Sequence, residues 1–163
     1  MAKDLGATVL ATTRRPERAR LLRTLGVDHP ITDDGTISRI VRDICPDGVD
    51  AALELVGTRN LRDTLRSVRV HGTVCFTGAL SDTWTIQDFS PLGYIPNGVR
   101  LTAYGGAATD LPAEAFQRQL QAIVDGRLQV AIAKTYHGLE SVREAQTDLE
   151  SGAVPGKHVV VLD

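Results

Sequence analysis

Hydroxyls and guanidinium groups crowd one short stretch, Thr12-Thr13-Arg14-Arg15, with Arg18 following one turn later. That set suits a phosphate dianion, because a hydroxyl donates one hydrogen bond and a guanidinium fork binds two oxygens at once. No acid interrupts it before Glu17. Arg15, Arg20 and Arg23 read as a solvated helix face, which leaves Arg14 and Arg18 as the candidate ligands. Glycine-centred groups recur downstream at Val56-Gly57-Thr58, Thr77-Gly78-Ala79 and Ala103-Tyr104-Gly105, each at the end of a β-branched run. A missing side chain there lets a ligand approach the backbone, and for Gly57 a strand-ending turn is the other use of the same residue.

Other chemistries find no residues. His29, His71, His137 and His158 share no ligand spacing with Cys45 or Cys75, so no metal is expected. No Tyr is followed four residues later by Lys, no Ser sits in a Gly-x-Ser-x-Gly elbow, and no acidic pair stands out, so no catalytic residue is assigned. Trp84, the sole tryptophan, lies in a long connection, where it lines a pocket or packs on its own loop.

These groups need a scaffold that brings strand ends together, and the chain supplies the pattern for one. Its 163 residues, 42% hydrophobic and 23% charged, suit a single soluble domain spanning 1–163. The net charge of -2 argues against a nucleic-acid partner, and no apolar run reaches the ~20 residues of a membrane span. Met-Ala-Lys-Asp-Leu lacks the apolar core of a signal peptide, and two cysteines cannot build a disulfide framework, so a cytoplasmic home is expected. Strands are expected over 8–13, 49–56, 73–77, 99–104, 130–136 and 157–162. Helices are expected over 16–25, 37–44, 61–70, 111–125 and 139–151, with a long connection over 79–98 that has room for one helical turn near 86–92. Alternation of this kind implies an α/β fold with a doubly wound, mainly parallel sheet.

The front end departs from that plan. In a doubly wound nucleotide-binding sheet the first strand enters a glycine-rich turn whose helix holds a pyrophosphate. Here Lys3-Asp4-Leu5-Gly6 reads as the last turn of a helix leading directly into the strand at Thr8, so the chain reads as part of a longer one. Without a central strand, the runs at 8–13 and 49–56 must pair directly, leave a gap or borrow a strand from another molecule.

Four segments resemble the medium-chain dehydrogenase/reductase family, specifically its zinc-independent quinone oxidoreductase branch within the zinc-type alcohol dehydrogenase-like proteins. They are AKDLGATVLATTRRPERARLLRTLGVDHPI with an "LGADHVI"-like end, GVDAALELVG like "GVDVVLDxVG", HGTVCFTGALS like "GGRVVxxGxxS", and GAVPGKHVVVLD like "GKxVL". They occur in family order across nearly the whole chain. The resemblance implies a Rossmann-like domain that lacks the first strand, the glycine-rich turn and the preceding substrate domain.

It further implies NADP(H) as cofactor, since Thr12, Thr13 and Arg14 stand where an acid would select the unphosphorylated form, and Arg18 matches a basic residue that helps hold the 2′-phosphate. Asp33 departs from a tyrosine that some relatives carry near the adenosine. By the same resemblance Val56 and Gly57 meet the ribose and pyrophosphate, Thr77, Gly78 and Ala79 meet the nicotinamide ribose, and Ala103, Tyr104 and Gly105 meet the carboxamide. Tyr104 is equally suited to half-buried packing. Lys157 matches a lysine near the cofactor and also suits a strand-initiating surface position. The implied reaction is hydride transfer to a quinone or conjugated carbonyl compound, in a homodimer built on the edge strand near 99–104. This chain alone is expected to be inactive. The alternative is a non-catalytic, dimer-forming Rossmann-like remnant, and a methyltransferase on a similar sheet ranks last for want of an acid at Thr13 and Arg14.

Overall fold

A computed structural model describes residues 1–162, among which strands and helices alternate as β1 (Leu10–Thr13), α1 (Ala19–Thr24), β2 (His29–Thr32), α2 (Ile37–Ile44), β3 (Val49–Glu54), α3 (Thr58–Ser67) and β4 (Val68–Phe76). These are followed by α4 (Pro91–Tyr94), β5 (Arg100–Ala103), α5 (Ala113–Val124), β6 (Ile132–His137), α6 (Val142–Ser151) and β7 (Lys157–Val161). Every strand pair is parallel, in three separately bonded sheets ordered β1-β2, β3-β4-β5 and β6-β7. The fold is therefore α/β with parallel sheets. None of the helices among the described residues is long and apolar enough to cross a membrane.

The chain divides into two compact units. One holds residues Leu10–Ala19 and His29–Ala108, and with them β1 to β5. Its core follows from periodicity. Ile37 and Val41 on one stripe of α2 bury against Ile31 of β2, with Leu10 and Val49 beside them. Leu61 and Leu65 of α3 bury against Val68, Val74 and Val99, and Leu65 and Val74 are fully enclosed. Polar contacts join the two helices: Ser38 N–H donates to Asp63 at 3.0 Å, and the Arg42 guanidinium donates to the Arg66 and Val68 carbonyls at 3.1 and 3.0 Å.

β1 and β3 flank this shared core, yet no ladder joins them. In the strand order 3-2-1-4-5-6 of a doubly wound sheet they are the neighbours of strand 1. Of the three outcomes the sequence allows, the described residues show the gap, and Leu53 of β3 and Leu55 just after it are 70% and 49% exposed.

Two sequence expectations need correction. The helix expected to reach Val70 ends at Ser67, where the serine hydroxyl donates to Thr64 O at 2.7 Å and β-branched Val68 turns extended. Residues 68–72 join β4 instead, through a register shift between the Val49↔Val68 and Ala51↔Thr73 pairs that places His71 at φ 66°. A strand forms at His29–Thr32, where none was expected, although Pro30 lacks a backbone donor. It is tolerated because β2 pairs only with β1.

The other unit holds Met1–Val9, Arg20–Asp28 and the chain from Thr109 onward. Within it β6 and β7 pair, α6 buries Ala145, and the Lys3 ammonium pairs with Asp28 at 2.9 Å.

Candidate functional site

Parallel register places the candidate residues. Glu54 pairs with Phe76 and Phe76 with Ala103, so β3, β4 and β5 stop at one level and their following residues emerge side by side. Beyond the strand ends the ladder continues: Thr77 N–H donates to Glu54 O at 2.9 Å, Leu80 N–H to Leu55 O at 3.1 Å, Ser81 N–H to Val56 O at 2.8 Å and Tyr104 N–H to Phe76 O at 2.9 Å. Val56, Gly57, Thr77, Gly78, Ala79, Ala103, Tyr104 and Gly105 thus form one rim at the carboxyl ends, the side of an open parallel sheet where ligands bind. Thr12, Thr13 and Arg14 leave β1 at its carboxyl end in the same unit, and Arg18 closes the 3-10 turn that follows.

The glycines of the rim serve the chain's own close packing. Gly57 has φ 123°, and a Cβ there would lie 2.8 Å from Thr83 O and 2.9 Å from Ser81 Oγ. A Cβ on Gly78 would lie 3.0 Å from Leu55 O. Gly105 instead faces open space.

Glu54, which the sequence reading passed over, organises the turn after β3. It is only 3% exposed. One carboxylate oxygen accepts the Val56 and Gly57 N–H groups at 2.7 and 3.0 Å, and the other accepts the Thr64 hydroxyl. The charge lies at the N-terminus of α3, where the helix dipole favours an anion. Its signal in the sequence was an acid inside the apolar run Ala51-Ala52-Leu53-Glu54-Leu55-Val56, three residues before a glycine. Ser81 was also missed: its hydroxyl is buried beside Gly57 without a partner among the described residues.

The donors around this rim are unequally committed. At α3 the Gly57 and Thr58 N–H groups go to Glu54 and Thr83 O, and at α2 the Ser38 N–H goes to Asp63. Asp33 accepts Gly35 N–H and the Asn60 amide, and Thr13 Oγ1 accepts Arg15 N–H at 3.2 Å. Thr12 and Arg14 are exposed, and Arg18 is half-buried. The end of β1 therefore presents a hydroxyl and positive charge, while the helix N-termini are occupied by the chain's own acceptors.

Lys157 begins β7 in the other unit, apart from the rim residues in the division of the chain. Beside it in sequence lies a polar network. Buried Tyr136 donates to Asp148 at 2.8 Å, and because it has one proton, His158 Nδ1 at 2.7 Å must be the donor to its oxygen. Lys134 donates to Glu144 and Asp148 at 2.7 and 3.0 Å, and those bonds raise its pKa. Burial, then the hydrogen bond to Asp148, raises that of Tyr136. The Tyr136 hydrogen bond and then that of Lys134 hold Asp148 below its usual 3.8. A carboxylate shifted down stabilises the folded state above its unfolded value, and that contribution disappears as pH falls through the folded value. Melting temperature should consequently drop below about pH 4 more steeply in the parent than in Asp148→Asn. Equal slopes in thermal melts between pH 4 and 2 would remove this linkage. Among the described residues no group of three or more His, Cys, Asp or Glu side chains could hold a metal ion.

Comparison with known proteins gives a consistent picture. The profile of a family described as zinc-binding dehydrogenase matches residues 25–160. A "Probable quinone oxidoreductase" of Leishmania amazonensis is 29% identical over 171 residues, covering 95% of this chain and 49% of that protein. Among solved structures, AibC superposes with a TM-score of 0.83 at 24% identity, over 99% of this chain and 44% of its own. Mycobacterial Rv1454c, solved in complex with NADPH, superposes with a TM-score of 0.79 at 24% identity, over 98% and 50%. The chain thus spans about half the length of the relatives it matches.

Proposed function

Because the chain belongs to the zinc-binding dehydrogenase family, within the medium-chain dehydrogenase/reductases, we propose that it is the cofactor-binding part of an NADPH-dependent oxidoreductase acting on a quinone or conjugated carbonyl compound. The observation that carries this reading is the pairing of a carboxyl-end rim with a basic turn after β1 that holds no acid before Glu17. When bound, NADPH supplies a hydride from nicotinamide C4 to an electron-poor carbon.

The chain's own part is binding and orientation. Arg14 and Arg18 hold the 2′-phosphate and Thr12 donates to it, while Thr13 shapes the turn that presents them. Val56, Gly57, Thr77, Gly78 and Ala79 form the floor under the riboses, with the Ser81 hydroxyl as a donor lacking a partner among the described residues. Ala103, Tyr104 and Gly105 offer backbone groups to the carboxamide. The donor set fits the phosphorylated adenosine end. It fits the pyrophosphate poorly, since the Ser38 N–H at α2 and the Gly57 and Thr58 N–H groups at α3 already serve Asp63, Glu54 and Thr83. Affinity is accordingly weak. The family's description includes zinc, but among the described residues the His, Cys, Asp and Glu side chains do not gather into a ligand set. Cys45 and Cys75 are both free thiols, which suits the cytoplasm.

The partner is a second copy of the chain. Among the described residues β5 bonds only β4, so its outer edge is open to two-fold pairing, and such pairing covers an exposed edge. Light scattering at micromolar concentration should give twice the chain mass, and an NADPH-driven quinone-reduction assay of this chain alone should show negligible turnover. A monomer with substantial turnover overturns both statements. A dimer that never binds NADPH supports the non-catalytic reading instead.

A further inference from the structure

A cleft of about 370 Å³ opens on the outer side of α3, with Arg62 and Arg66 on one wall and residues 92–97 on the other. No acid lines it. Arg62 is already held in place: its guanidinium carbon lies 5.8 Å from the centroid of the Tyr94 ring, and Nη2 donates to Gly93 O at 3.3 Å. Tyr94 is fixed in turn by Phe89, edge to face at 5.2 Å, and by its hydroxyl on Thr58 O. Arg66 lies one turn beyond Arg62 on the same helix face, and its side chain makes no hydrogen bond or ion pair among the described residues. Leu92, 99% exposed, and Ile95 add apolar surface.

The electrostatics favour an anion. The carbonyl end of a helix ordinarily repels negative charge. Here that end of α3 is covered by Arg42, whose Nε and Nη2 donate to Arg66 O at 3.3 and 3.1 Å, which adds a third guanidinium to the neighbourhood. The acid nearest on α3, Asp63, is taken by the Ser38 backbone and hydroxyl on α2. Two forked cations one turn apart match a dianion with three oxygens better than a single carboxylate.

We propose that this cleft binds a small phosphate monoester with a flat apolar body, the phosphate on Arg62 and Arg66 and the body against Leu92, Tyr94 and Ile95. The site is distinct from the rim. Arg66 lies two residues before the start of β4, and Asn97 three before the start of β5, so the cleft lies toward the amino ends of strands whose carboxyl ends form the rim. The length of β5 alone, about 13 Å at roughly 3.3 Å per residue, lies between them.

The probe is phenyl phosphate, titrated into the full chain at fixed ionic strength and followed by amide chemical shifts, with inorganic phosphate in parallel. Saturable shifts are expected at residues 62, 66 and 92–97, weaker with inorganic phosphate. Arg66→Gln, an exposed change, should weaken phenyl phosphate about tenfold, and Arg62→Gln at least as much. Replacing Arg14 and Arg18 should leave this affinity unchanged. Unchanged affinity in Arg66→Gln, shifts that track ionic strength alone, or shifts centred on residues 12–18 overturn the proposal.

Discussion

Replacing Arg14 and Arg18 together with alanine erases the preference for NADPH over NADH, with an expected loss of about 100-fold in the ratio of dissociation constants. The two cofactors differ only in the 2′-phosphate, so only groups that touch it can change the ratio. A hydrogen bond to a charged group contributes about 1.5–3 kcal/mol. Arg14 is exposed and screened, so the lower figure applies to each residue, and two such losses make about 3 kcal/mol, or two factors of ten. Asp33, the acid that follows β2, already accepts Gly35 and Asn60. NADH affinity should change little in the same variant. Parallel titrations of parent and variant with both cofactors check this, and a ratio that survives the double substitution moves the phosphate site elsewhere.

Glu54→Ala should cost about 3–5 kcal/mol of folding stability, a large part of the 5–15 kcal/mol typical of a domain. The alanine leaves the Val56 and Gly57 N–H groups and the Thr64 hydroxyl facing a buried cavity, and all three now bond the carboxylate. Glu54→Gln separates charge from hydrogen bonding. Its amide oxygen can still accept both N–H groups, and Thr64 can donate to Asn60 O, already 3.2 Å away, while accepting from the amide nitrogen. About 1–2 kcal/mol is expected for that change. Denaturant midpoints should rank parent, Gln and Ala in descending order. Equal midpoints for Gln and Ala would show that the carboxylate does not organise the rim through these bonds.

Much of this architecture was legible because it is local. The stripe Ile37, Ile40, Val41 and Ile44 fixes α2 at its observed bounds, and the glycines after β3 and β4 mark where the rim must form. What escaped depends on distant partners. Glu54 reads as an ordinary acid until Thr64, ten residues on, is brought against it by α3. The α3–β4 boundary depends on Val68 burying against Leu61 and Leu65, an energy absent from helix periodicity. β2 hides behind Pro30, whose missing donor is harmless only on an edge. Arg62 and Arg66 look like a solvated helix face until residues 92–97 fold across from them.

The most direct measurement is a titration of this chain with NADPH and NADH side by side, following the fluorescence of Trp84, the single tryptophan, which is 64% exposed in the connection after β4. The account predicts saturable quenching by both cofactors, weak in absolute terms for want of pyrophosphate donors, with NADPH binding clearly tighter. Equal affinity for the two, tighter binding of NADH, or no saturable binding of NADPH contradicts it.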